Sequence, residues 1–181
     1  GDIAVNGHIT VHEKGLDAGT DPGQGHTAEG EIKISAMDGL TSITIAGQEY
    51  TLAQLLDLDS NPVTIDVNGG KLTLTGFDPL KATILGVDKV RGGDLKYTYE
   101  LTADQDHPAG DGNNSLTLDI QLAVKDDQGA VSVPEDNKLV VNVIDDVPTA
   151  IDDENEVTED TADPATGNLL ANDEKGADGA D

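Results

Sequence analysis

The residues with the most capacity for chemistry in this chain are carboxylates, and they come in pairs where apolar runs end. Asp104 and Asp106 follow the run Tyr97–Leu101, and Asp126 and Asp127 follow Leu116–Val124. Asp145 and Asp146 close the run Leu139–Val143, and Asp152 and Asp153 come just after Pro148. Clustered carboxylates are hard oxygen ligands, and calcium takes six to eight such oxygens, so several Asp with loop carbonyls can complete a site. Two carboxylates can also serve as the acid and base of a glycosidase. Sugar sites normally need aromatic platforms, and the chain has no Trp and one Phe. A Gly-x-Ser-x-Gly elbow, a Cys–His pair, a His-Glu-x-x-His motif and a phosphate-binding Gly-rich loop are all missing. Calcium is therefore the expected cofactor, and no enzyme is expected. At any one pair the competing reading is a solvated acidic loop that keeps the chain in solution.

No EF-hand loop occurs, nor the glycine-rich nonapeptide repeat of calcium-loaded β-rolls. Any calcium is then expected in inter-strand loops and at joints between modules. His8 and His12 can share a face of an extended strand but lie too far apart to hold one ion together. His26 and His107 fall in loops, and all four read as surface histidines.

The charge balance supports a cation-dependent fold. With 36 acidic against 10 basic residues the formal charge is -26. Such a surface repels nucleic acid and anionic lipid, and it repels itself when the chain compacts. With no cysteine there is neither a disulfide nor a thiolate metal site. We see no signal peptide and no apolar run long enough to span a bilayer, so no direct membrane insertion is expected. The chain is then either cytosolic or the interior of a larger exported protein.

Positioning these loops falls to β structure. The core must be built from Val, Ile and Leu, which suit a pleated, half-buried surface. Leu95, Tyr97, Tyr99 and Leu101 share one face of a strand. Leu116, Leu118, Ile120, Leu122 and Val124 repeat the pattern, as do Leu139, Val141 and Val143. One buried and one wet face marks antiparallel sheets, so the spacing predicts an all-β antiparallel sandwich over 1–147. Hairpins are predicted at Asn6-Gly7 and at Asn68-Gly69-Gly70. Arg91-Gly92-Gly93-Asp94 reads as a tight turn. One short helix is predicted at Leu52–Leu58, its leucines plugging an edge of the core. Residues 148–181 offer little to bury and read as a linker and the start of another module.

The motifs of the later strands, taken in order, resemble the repeats of type I-secreted RTX adhesins of Gram-negative bacteria. They are Tyr-x-Tyr-x-Leu-Thr at Tyr97–Thr102, Gly-Asp-Gly at Gly110–Gly112, an Asp-x-x-Gly turn at Asp126–Gly129, and Val-x-Val-x-Asp-Asp-x-Pro-x-Ala at Val141–Ala150. Val11–Asp21 and the turn Asp38-Gly39-Leu40 also fit, so the resemblance covers roughly residues 8–150. The turn at Asp126 departs from the commoner Asp-x-Asp-Gly form. The stretch from Pro148 through Asp152-Asp153 to Asn168-Leu169-Leu170-Ala171-Asn172-Asp173 resembles the opening of a cadherin-like bacterial adhesin repeat.

The resemblance implies an Ig-like or cadherin-like extender at the cell surface, secreted through type I export and serving attachment and biofilm formation. Its partners would be neighbouring repeats of the same chain, with the module otherwise a monomer. Calcium would stiffen the joints, through Glu13, Asp104, Asp106, Asp126, Asp127, Asp145, Asp146, Asp152 and Asp153. Two rival readings are a sugar- or peptide-binding module, using the long segment Leu40–Leu95, and a calcium-dependent hydrolase.

Overall fold

The computed structural model describes residues 2–3, 7–84, 86–107, 114–132, 137–156, 164 and 166–177. Ten strands form two five-stranded sheets with one hydrophobic core between them. The first sheet has the order β1 (Asp2–Ile3), β3 (Thr27–Ser35), β8 (Val87–Leu101), β7 (Gly70–Ile84) and β6 (Val63–Val67), all antiparallel. The second runs β2 (Gly7–His12), β10 (Lys138–Ile144), β9 (Ser115–Asp126), β4 (Leu40–Ile45) and β5 (Gln48–Thr51). It is antiparallel except where β2 lies parallel to β10. The expected all-β sandwich is thus present.

The alternation that predicts the late strands decides what they bury. Leu95, Tyr97, Tyr99 and Leu101 face the core from β8, and Leu139, Val141 and Val143 face it from β10, all at most 2% exposed. The Tyr97 ring packs over Gly30 of the neighbouring strand. In β7 the phase of burial shifts from Leu72 and Leu74 to Phe77. The cause is an irregularity in the β7–β8 register between Leu74 and Gly76, which adds one residue and turns the strand over. A second shift, between Pro79 and Lys81, accommodates a proline that a regular ladder would exclude.

The hairpin at Asn68-Gly69 forms, with Val67 opposite Gly70. The short helix also forms, as α1 (Leu52–Leu55), with Thr51 and Gln54 in a reciprocal capping box. Leu55 and Leu58 are 1% exposed and close the core edge as expected.

Two local expectations are corrected. No hairpin joins the first two strands: β1 pairs with β3 in one sheet and β2 with β10 in the other. The Asn-Gly signal marks a crossing between sheets, since each strand finds a longer partner than the other could offer; Asn6 itself lies outside the described residues. Nor is Arg91-Gly92-Gly93-Asp94 a turn. It lies within β8, with Gly92 opposite Ser35 and Gly93 opposite both Ile34 and Pro79. Their φ angles of 134° and 151° are open only to glycine, and the neighbouring backbones leave no room for a Cβ.

The segment Leu40–Leu95 is absorbed into both sheets as β4 to β7 and the first half of β8. Only the far end of the β7–β8 ribbon, beyond the reach of β3, runs as two strands alone. Arg91 ties its base to the Met37 carbonyl at 2.8 Å.

Burial pushes the Tyr97 and Tyr99 hydroxyls up to about 12. The folded state keeps these two protons, whereas unfolded tyrosine releases its proton near pH ~10. Stability from this source is intact below that value and declines as pH rises from about 10 toward about 12. An alkaline titration followed at the tyrosinate absorbance should show both residues ionising together with loss of the sheet signal. Ionisation of all three tyrosines near pH ~10 with the fold intact would contradict the packing described.

Candidate metal centre

Strand register sorts the acidic residues into two poles. Ser115 at the start of β9 faces Ile144 at the end of β10, while Asp126 at the other end of β9 faces Leu40. The 12 residues of β9 make 11 steps of roughly 3.3 Å and set the poles some 36 Å apart, so no ion can serve both.

Asp126 and Asp127 belong to the pole where β1 also lies. Asp126 is 4% exposed, and its Oδ1 accepts from the backbone N–H groups of Gln128 (3.0 Å) and Ala130 (2.8 Å). Burial raises its carboxyl, but hydrogen bonds led by the Ala130 N–H more than offset this and hold it below the ordinary carboxylate range. Asp127 is held low by its hydrogen-bonded ion pair with Lys89, and it accepts from Gln128 Nε2 at 3.0 Å. These two carboxylates close a turn and tie it to β8 through the chain's own donors.

The opposite pole collects Glu13, Asp104, Asp106, Asp145 and Asp146 from three separate connections. Glu13 opens a single 3-10 turn (Glu13–Gly15) after β2 and is completely buried. Its Oε1 accepts the Gln105 N–H at 2.7 Å and lies 3.2 Å from His107 Nε2. One ligand atom each from Glu13, His107 and Asp145 lies within 4.8 Å of the others. Asp145 is half-buried, and its backbone N–H donates to the Asn114 carbonyl at 3.0 Å. Asp104 and Asp106 are exposed on the loop carrying Gln105 and His107, and neither meets a lysine or arginine among the described residues.

Asp146 has a different task. It is 5% exposed and grips the Glu13–His26 connection with both oxygens, accepting from Thr20 N at 2.8 Å and Thr20 Oγ1 at 2.6 Å. Asp152 and Asp153 lie exposed beyond this pole. That segment is held by a bridge between Thr149 and Glu174, by Ile151 N donating to Asp173 Oδ1 at 2.8 Å, and by Asn172 Nδ2 donating to the Asp152 carbonyl at 3.1 Å. Gly176, at φ 73°, packs against the Asp146 carbonyl so closely that a Cβ would overlap it. The segment up to Gly176 thus folds back on the same pole. Beside it, Asp17, His26 and Asp104 line an open cleft of about 370 Å³ edged by Ala177.

His107 is the residue the sequence reading misses. It was expected at the surface, yet its side chain is 4% exposed. A His three residues after Asp104 carries no periodic signal in a loop. Only the position of the loop over Glu13 buries it. The Gly-Asp-Gly motif at 110–112 lies outside the described residues.

Comparison with protein-family models, with curated proteins and with solved structures returned no match. The described chain is an all-β sandwich with a carboxylate-rich pole, and no helix among its described residues is long and apolar enough to cross a membrane.

Replacing Asp146 with Ala leaves the Thr20 donors without their acceptor. The unfolding free energy should fall by about 1–3 kcal/mol, and the Thr20 amide should exchange with solvent faster. Unchanged stability and exchange would show that the loop is anchored elsewhere.

Proposed function

We propose that this chain is a calcium-stabilised structural extender module of a large bacterial surface adhesin serving attachment and biofilm formation. The observation that carries this reading is that three separate connections bring Glu13, Asp104, Asp106 and Asp145 to the pole where the chain leaves the sandwich, with Glu13 and Asp145 near enough to share an ion. Carboxylates gathered from separate connections repel one another, and a divalent ion with six to eight oxygen ligands turns that repulsion into a cross-link.

The placement of the ends supports a role in length. The first described strand lies at one pole and the segment after β10 departs from the other. A module with that geometry adds its full long axis to a tandem array. Asp152 and Asp153, exposed just beyond the pole, would complete a joint with oxygens from the next module. Extracellular calcium sites work at roughly millimolar affinity, which suits a protein that folds only after export.

A calcium titration with thermal melting and small-angle scattering tests this. Ion at 100 times its dissociation constant should add about 2.7 kcal/mol, raising Tm and reducing the maximum dimension relative to chelator. The Asp104→Asn/Asp106→Asn/Asp153→Asn variant should lose most of that response while keeping its chelator-state Tm. Identical melting and scattering with calcium and with chelator would refute the proposal.

A further inference from the structure

We propose that Glu13, His107 and Asp145 form a site for a zinc-class transition metal ion, set apart by its imidazole ligand from the oxygen-only calcium coordination inferred for the same pole. The first observation is the donor set. Calcium takes oxygen ligands, whereas an imidazole nitrogen with two carboxylates suits zinc and its first-row neighbours. Three protein ligands with a fourth position open is an established zinc arrangement.

The second observation is the state of His107. Its side chain is only 4% exposed, yet neither ring nitrogen makes a hydrogen bond among the described residues. Nε2 lies 3.2 Å from Glu13 Oε1 without the direction a hydrogen bond needs. Two ligands bonded to one tetrahedral zinc at about 2.0–2.1 Å stand roughly 3.3 Å apart, each aimed at the ion rather than at the other. The His107–Glu13 spacing matches such a ligand-to-ligand edge. The Gln105 N–H, 2.7 Å from Glu13 Oε1, holds the carboxylate in place as outer-shell donors do in metal sites. Asp145, half-buried at the end of β10, has the freedom to complete the set within the 4.8 Å span.

The site has a mechanical consequence. Glu13 follows β2, His107 belongs to the connection after β8, and Asp145 follows β10. One ion would therefore clamp both sheets at the pole.

The test uses the full chain in millimolar calcium, titrated with zinc and separately with cobalt(II). Zinc should bind at about one ion per chain, and cobalt should give the visible absorption of a low-coordinate site with a nitrogen ligand. Asp145→Asn and His107→Ala should each weaken zinc binding by more than about ten-fold, the least that losing even an outer-shell partner costs. The His107 variants, which remove no carboxylate, should keep the calcium-induced rise in Tm. Because His107→Ala opens a buried space, His107→Gln serves as the second variant, filling it without an imidazole. No zinc binding by the wild-type chain overturns the proposal, as does zinc binding unchanged in Asp145→Asn and His107→Gln, or zinc fully displaced by millimolar calcium. Loss of the calcium response with zinc binding intact would sink the extender reading and leave this site standing.

Discussion

A fully buried carboxylate in a chain of formal charge -26 is the constraint around which one end of this molecule is organised. Removing an ion from water costs several kcal/mol unless it is paired or hydrogen-bonded. Glu13 meets this in part with the Gln105 N–H, on the connection that leaves β8. That connection belongs to the first sheet, whereas Glu13 follows β2 in the second. The compensation of one charge therefore links the two sheets at the pole, where hydrophobic burial thins out. Asp146 repeats the device by holding Thr20 with both oxygens, and the returning chain seals it through Gly176.

The strand order makes that linkage possible. Because β1 and β2 belong to different sheets, the chain crosses the sandwich at once and delivers Glu13 beside the end of β10. The parallel β2–β10 pair brings His12 opposite Ile144, so the residues after each strand emerge side by side. Had β2 turned back as a hairpin on β1, Glu13 would not have lain beside Asp145. A local turn signal yields here to the greater number of ladder hydrogen bonds that two separate partners supply.

Much of the scaffold was legible because burial writes a period of two into it. Leu95 to Leu101 and Leu139 to Val143 read as strands with one apolar face, and that face is the core. Leu55 and Leu58 announced an edge plug. The Gly92-Gly93 pair misled, since glycine in a sequence signals backbone freedom without saying whether a turn or a close strand approach uses it. The acidic pairs were legible as pairs but not as a constellation. Which of them share a pole depends on register, so Asp126 and Asp127 could not be told apart from Asp145 by sequence spacing. His107 left no trace at all, because its burial comes from a loop lying over a residue 94 positions away.

The two poles solve the same electrostatic problem differently, and the difference bears on function. At the β1 pole the chain supplies its own counter-charge: Lys89 holds Asp127, and backbone N–H groups satisfy Asp126. Those carboxylates are depressed by donors already in place, so a divalent ion would have to displace them. At the other pole Asp104 and Asp106 stand exposed with no lysine or arginine against them among the described residues, and the group facing buried Glu13 is an imidazole rather than a fixed cation. A lysine satisfies one carboxylate and stops there, whereas a multivalent ion draws oxygens from several connections at once. An end neutralised from within is finished as it folds, whereas an end with carboxylates left unmatched by a lysine or arginine among the described residues would gain most from an ion supplied from outside. That asymmetry is why the proposed metal chemistry belongs to the pole from which the chain departs and not to both.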